Sequence, residues 1–317
     1  YGLTQSTSDG DNRDFRDVFL GFYNKTNNPE VIFYRPGGED KSIESNNGPL
    51  GFSGDNLGKG RTLPTQNLVD AFPMKDGMFA GQGSKYTLNQ SNPYENRDPR
   101  LDYTILHHGS SWLNNTLDIS IGGVNNPSNS AEYSKTGYYM CKFMGKFGEE
   151  SQYGNKIHLW VMFRYAEMLL NYAEAVYERD DKISNTDLNI SLNLVRLRVN
   201  PAMTPLTNEL ITQNAGMDMR TEIRRERTIE LFNEGFRLDD LKRWKTAETE
   251  MPMDIVGIQW KGTEYEKVWA NCPYETNAEG CIIIEKGRKW EEKNYLFPLP
   301  SDQLQLNPNL QQNPGWE

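Results

Sequence analysis

The feature that most constrains this chain is a change of texture at Lys156. Residues 1–155 are broken repeatedly by Gly, Pro, Asn and Ser, as in NNGPLGFSGDNLGKG and GGVNNPSNS, residue types that supply turns rather than element interiors. Only FRDVFLGFYN, read as a short helix, and EVIFY, read as a strand, interrupt them early. Beyond Lys156, in WVMFRYAEMLLNYAEAVYER, Phe163, Ala166, Leu170, Ala173 and Tyr177 recur at steps of three and four. Arg164, Glu167, Asn171, Glu174 and Glu178 fill the opposite stripe. That periodicity predicts an amphipathic helix, with Trp160 inside it and in the core.

A second helix follows a cap at Thr186 or Asp187, with Leu188, Leu192, Val195 and Val199 on one face and Pro201 as its stop. Two antiparallel helices over about 40 residues have the size of one tetratricopeptide-type unit, though one copy does not establish a repeat. The third helical segment, MRTEIRRERTIELFNEGFRLDDLKRW, is unusual. Its stripe from Ile223 runs on through Arg227 and Glu230, so charges enter the core side. An anion clamp or a catalytic carboxylate is one reading; structural pairing, for example Arg227 with Glu230 at i, i+3, is preferred, because buried charges persist when paired. The same holds for Arg97, Asp98, Arg100 and Asp102. Gly235 bends or caps the segment, and Leu238, Leu241 and Trp244 continue a shorter helix with Trp244 in the core. Residues 251–295 read as irregular, and the Pro- and Asn-rich tail cannot be helical along its length.

With 317 residues the chain can bury a large core, and a net charge of −10 argues against nucleic acid as a partner, since phosphate binding needs a basic face. No segment has the run of roughly 18 apolar residues of a membrane span. The chain opens on Tyr1 without an apolar leader, which reads as a processed chain or a piece of a longer one. Among Cys141, Cys272 and Cys281, the last two flank a turn-like stretch and can close a small disulfide loop in an oxidising compartment.

Metal and catalytic motifs are weak. His107 and His108 are adjacent, so in a strand they face opposite ways, and no third ligand accompanies them. Asp9, Asp11, Asn12 and Asp14 lack the terminal Glu of a calcium loop, since Leu20 stands there. GKGRT lacks phosphate-loop spacing, and nothing singles out a pair among the 44 acidic residues for glycoside hydrolysis. No metal, cofactor or catalytic residue is expected.

Several segments together resemble the SusD/RagB family, in the family's order: NNPEVIFY, LPTQNLVDAFPMKDG, NPYENRDPRLDYTILHHGSSW, KTGYYMCKFM, FRYAEMLLNYAEA, LNLVRLRV, IRRERTIELFNEGFRLDDLKRW and LFPLPSDQLQLNPNLQQNPGW. The resemblance implies a mainly α, SusD-like helical fold with tetratricopeptide-type helix pairs and long irregular ligand-binding loops. It places a loop-rich part with the ligand face at residues 1–155 and a helical part at 156–317 of one continuous domain, the family's N-terminal half preceding Tyr1. It further implies a lipid-anchored outer-membrane protein, its anchoring Cys upstream. Such a protein captures an oligosaccharide or polysaccharide and passes it to a SusC-like TonB-dependent transporter. Peptide capture, or a scaffold whose ligand site lies in the other half, remain open alternatives.

Sugar rings stack on aromatic faces while their hydroxyls bond to polar side chains. By analogy with starch-binding relatives, loops flanking PTQNLVDAF point to Phe52, Asn56, Arg61, Phe79 and Tyr86 as glycan-binding residues, with Trp112, after Gly109, Ser110 and Ser111, added if exposed. Trp260, Trp269 and Trp290 form a weaker set.

Overall fold

The computed structural model describes residues 1–4, 14–20, 28–50, 58–120, 123–125, 134–145, 147, 153–261, 263, 266 and 274–317. Its helices are α1 (Asp14–Asp17), α2 (Ser42–Asn47), α3 (Gln66–Ala71), α4 (Arg100–Thr104), α5 (Tyr165–Asp180), α6 (Asn185–Asn189), α7 (Leu192–Val199), α8 (Asn208–Gln213), α9 (Met219–Glu230), α10 (Arg237–Arg243), α11 (Ala247–Glu250) and α12 (Ser301–Leu306). The strands are β1 (Val31–Asp40), β2 (Ile105–Leu106), β3 (Ser111–Trp112), β4 (Asn115–Thr116), β5 (Tyr139–Met140), β6 (Lys156–Arg164), β7 (Ile255–Gln259) and β8 (Cys281–Glu285). They form antiparallel ribbons β1–β6, β2–β5, β3–β4 and β7–β8. Helix content is therefore moderate rather than dominant, and residues 251–295 contain a ribbon where irregular chain was expected.

The helix around FRYAEMLL starts later than its periodicity suggests. Lys156–Arg164 is a strand, and α5 begins only at Tyr165. No side-chain cap marks that start; Arg164 is extended, and the Tyr165 N–H bonds to the Glu30 carbonyl. Pairing with β1 over a distance of more than 100 residues decides what local pattern left ambiguous: a short apolar run fits strand or helix equally. Trp160 consequently lies on a strand and is 67% exposed, not in a helical core.

Within α5, Ala166, Leu169, Leu170 and Ala173 are buried, as the 3.6-residue period requires. They pack with Leu188 of α6, Leu192 and Val195 of α7, and Met219 and Ile223 of α9 in one apolar cluster. Ser184 caps α6 through the Asp187 N–H, two or three residues ahead of the expected cap, and Ser191 interrupts the helix before α7. Asp218 caps α9 by accepting from the Thr221 N–H at 2.9 Å.

A second cluster joins Val69 and Phe72 with Leu101, Ile105, Tyr138, Ile258 and Ile282, and Ile229 of α9 enters it. Helix α9 thus faces one core with Ile223 and another with Ile229, which leaves its charged residues between the two. A third cluster gathers Trp112, Leu113, Leu117, Tyr139 and Met140 beneath the β2–β5 and β3–β4 ribbons.

Candidate functional site

The charges that enter the core are structural. Glu230, the last residue of α9, is fully buried and accepts from Arg164 Nη1 at 2.8 Å, Arg100 Nη1 at 3.2 Å and Arg198 Nη2. Glu30 accepts from Arg164 Nη1 at 2.6 Å and Arg198 Nη1 at 2.7 Å, while Arg100 Nη2 also reaches Asp98 at 2.7 Å. Glu234 holds Arg164 at 2.7 Å and the Lys142 ammonium at 2.6 Å. Burial pushes the Glu230 carboxyl upward, but Arg198, Arg164 and Arg100 outweigh it and hold it well below the usual carboxylate range. Burial also lowers Lys142 to about 8, against the opposing pull of Glu234.

The expected i, i+3 pairing of Arg227 with Glu230 is not made. Arg227 instead reaches Asp240 of α10 and Asn171 of α5, each at 2.8 Å. Arg97 ties the carbonyls of Val69, Phe72 and Pro93. With every carboxylate oxygen of Glu30 and Glu230 occupied, the network locks six segments together and its charges are spent on one another.

The histidines are likewise committed. His107 stacks on Tyr94 with centroids 3.7 Å apart, and its Nε2 lies 2.9 Å from Asp102. Both histidines follow β2 rather than lying in it. Among the described residues, no group of three or more His, Cys, Asp or Glu is placed to hold a metal; Asp9, Asp11 and Asn12 lie outside them. So does Cys272, and with it the expected Cys272–Cys281 bridge; Cys281 is a buried thiol that burial pushes to about 11.

The glycan-binding candidates fall in three places. Phe52 and Asn56 lie outside the described residues, but the chain on either side is pinned: Gly60 N–H bonds to the Gly48 carbonyl at 3.1 Å and Arg61 N–H to the Asn46 carbonyl at 3.0 Å. A Cβ on Gly58 would meet the Gly48 carbonyl oxygen at 2.1 Å, so the two ends of that segment meet at a glycine contact. The exposed Arg61 makes no side-chain hydrogen bond or ion pair among the described residues.

Phe79 and Tyr86 are half-buried on a separate loop, organised by Asp76, which accepts from the Met78 and Lys85 N–H groups and the Ser84 hydroxyl. The Arg225 guanidinium sits 4.1 Å from the Phe79 ring centroid and covers one face. Trp112 is a correction: only 3% exposed, it packs edge-on to Phe147 and Tyr153 and offers no face to a ligand. In the weaker set, Trp260 is buried, Trp290 lies edge-on to Tyr295 at 5.3 Å, and Trp269 is outside the described residues.

A cavity of about 560 Å³ opens beside the β1–β6 ribbon. Phe19, Ile43, Met140 and Phe143 give it an apolar floor; Arg35, Asp40, Ser42, Asn47, Thr62, His158 and Asn233 are its polar lining. Trp160 stands at its edge, directly opposite Arg35 in the ribbon register. The register slips between Pro36 and Glu39, so Gly37 and Gly38 form an irregularity beside the opening. A Cβ on Gly37 would meet the His158 carbonyl oxygen at 2.5 Å, which is why a glycine is needed there. Asn47 and Thr62, both in the lining, adjoin the pinned ends of the segment carrying Phe52 and Asn56. Sequence reasoning missed Trp160 and Arg35 because HLWVMF is almost continuously apolar and gives no alternation to expose the strand's outer face.

No helix among the described residues is long and apolar enough to cross a membrane. The chain matches the SusD family over residues 29–316. Among solved structures it is similar to a SusD-like carbohydrate binding protein from Bacteroides fragilis, at 26% identity and TM-score 0.74, covering 94% of this chain and 57% of that one. It is similar to a second SusD-like protein from the same species, at 26% identity and TM-score 0.69, covering 98% and 59%. Surface glycan-binding protein A from Bacteroides thetaiotaomicron shares the fold at 18% identity and TM-score 0.52, covering 98% and 56%. The chain therefore spans under two thirds of the length of these relatives. No curated protein matches it.

Proposed function

The chain belongs to the SusD family and has a SusD-like fold, and from that premise we propose that it is a non-enzymatic glycan receptor of the outer-membrane surface. It captures an oligosaccharide and hands it to a SusC-like TonB-dependent transporter, held to the membrane by a lipid anchor elsewhere in the protein. The observation that carries this reading is Trp160: a large indole left 67% exposed beside a cavity with an apolar floor and amide, hydroxyl and guanidinium groups around it. A sugar's C–H face stacks on such a ring, and its hydroxyls need donors and acceptors of those kinds. The carbohydrate-binding relative from Bacteroides fragilis supports the same ligand class.

In this reading Phe52, Asn56 and Arg61 belong to the receptor face, since their segment is anchored beside Asn47 and Thr62. Phe79 and Tyr86 lie on a separate loop and are of lesser importance in this reading. Residues 1–155 supply most of the ligand face, and the second ribbon strand adds Trp160 from the 156–317 part of the same domain. Helices α5 to α7, packed together in one apolar cluster, act in this reading as a tetratricopeptide-type unit of the scaffold. Moderate affinity suits a handover, because a ligand held too tightly cannot be passed on. Calorimetry against a panel of plant, host and microbial polysaccharides, with product analysis of the same samples, tests the proposal. Saturable binding of a glycan without cleavage is expected; released smaller sugars, or binding of peptides but of no glycan, would overturn it.

A further inference from the structure

Arg35 gives the cavity a chemical preference. Its side chain is exposed on β1 and makes no hydrogen bond or ion pair among the described residues. Cross-strand neighbours have Cβ atoms about 5 Å apart, so the guanidinium and the Trp160 indole can contact one ligand together. The other charged groups in or behind the lining are already engaged. Asp40 stands opposite Lys156 at the far end of the ribbon, and its Oδ1 accepts from both the Ser42 N–H and hydroxyl at 2.7 Å. His158 Nε2 bonds at 2.8 Å to Glu44, whose same oxygen accepts from the Gly145 N–H. At the Trp160 end, Arg35 is the one charge in the cavity lining without a partner among the described residues.

A planar guanidinium presents paired donors that match a carboxylate or sulfate, and a hydrogen bond to an ionised acceptor is stronger than one to a hydroxyl. The chain's net charge of −10 gives no general attraction for anions, so any such preference has to arise locally. We infer that the glycan stacked on Trp160 carries an anionic substituent, a uronate carboxylate or a sulfate, which Arg35 receives. This rests on the glycan-receptor reading and specifies its ligand class.

Calorimetry of the full 317-residue chain with four probes tests it: oligogalacturonate, the same oligomer methyl-esterified, a sulfated galactan oligosaccharide and a neutral galactan oligosaccharide. At least one anionic probe should bind about 10-fold more tightly than its neutral counterpart, and which one does so separates carboxylate from sulfate. Arg35→Gln should remove that margin, bringing charged and neutral probes to equal affinity in that variant, with the melting temperature unchanged, as for a surface substitution. Equal affinity for charged and neutral probes, or a margin that survives Arg35→Gln, overturns the inference while the receptor reading stands. If none of these probes binds and a broad neutral panel does, the anionic preference fails alone; if no glycan of any kind binds, both fail.

Discussion

Arginines and tryptophans occur in two very different settings in this molecule. Around Glu230, Arg100, Arg164 and Arg198 are buried and each meets carboxylates from more than one segment. Trp244, nearby, buries its ring and donates Nε1–H to Glu174 at 2.6 Å. On the ribbon, Arg35 meets no carboxylate among the described residues and Trp160 turns most of its ring to solvent. The residue types are the same; what differs is whether their contacts are completed within the chain. Completed groups hold segments together, and uncompleted ones are where a ligand can add something.

The sharpest way to break this contrast is at the interior. Glu230→Gln leaves three buried guanidiniums short of a charge partner and should cost about 3–5 kcal/mol, read from urea unfolding. A loss below about 1 kcal/mol would mean that the network contributes little to holding the segments. The network also sets an acid limit. Glu230 and Glu234 have folded pKa values below their ordinary 4.5, so the unfolded chain binds protons first as pH falls. Their stabilisation is full above about pH 4.5 and is lost progressively below it. Lys142, depressed to about 8 from 10.5, works the other way: its charged form is disfavoured in the fold, and its contribution improves as pH rises from about 8 to 10.5. Melting temperature against pH should fall on the acid side, and Glu230→Gln should flatten that fall.

A smaller effect is expected at Trp244. Phenylalanine there keeps an aromatic ring but removes the donor to a buried carboxylate, for about 1.5–3 kcal/mol by thermal or urea melts. The smallest effect on stability is at the other indole: Trp160→Phe should change it by no more than about 0.5 kcal/mol. A large loss at Trp160 would show that its ring is covered in the intact protein, and the contrast would collapse.

Much of the interior was legible in the sequence. The Ile223, Arg227, Glu230 stripe announced charges between packed faces, and the Ala166, Leu170, Ala173 period announced α5. The partners were not legible, because Glu230 finds Arg100 across 130 residues and Arg164 across 66. The proposed receptor face was legible only in outline. Motif neighbourhood led to Phe52, Asn56 and Arg61, whose anchored ends do adjoin the cavity, and also to Trp112, which is buried. Trp160 was hidden because a strand and a helix share the uninterrupted run HLWVMFRYAEMLL, and the boundary at Tyr165 is set by β1 and Glu30 rather than by a cap residue.

The most direct measurement pairs glycan retention with melting temperature for the wild-type chain and Trp160→Ala, using whichever glycan the wild type binds. Lost retention with an unchanged melting temperature is the expected result. Undiminished retention in a folded Trp160→Ala protein would contradict the placement of the receptor site on the β1–β6 ribbon.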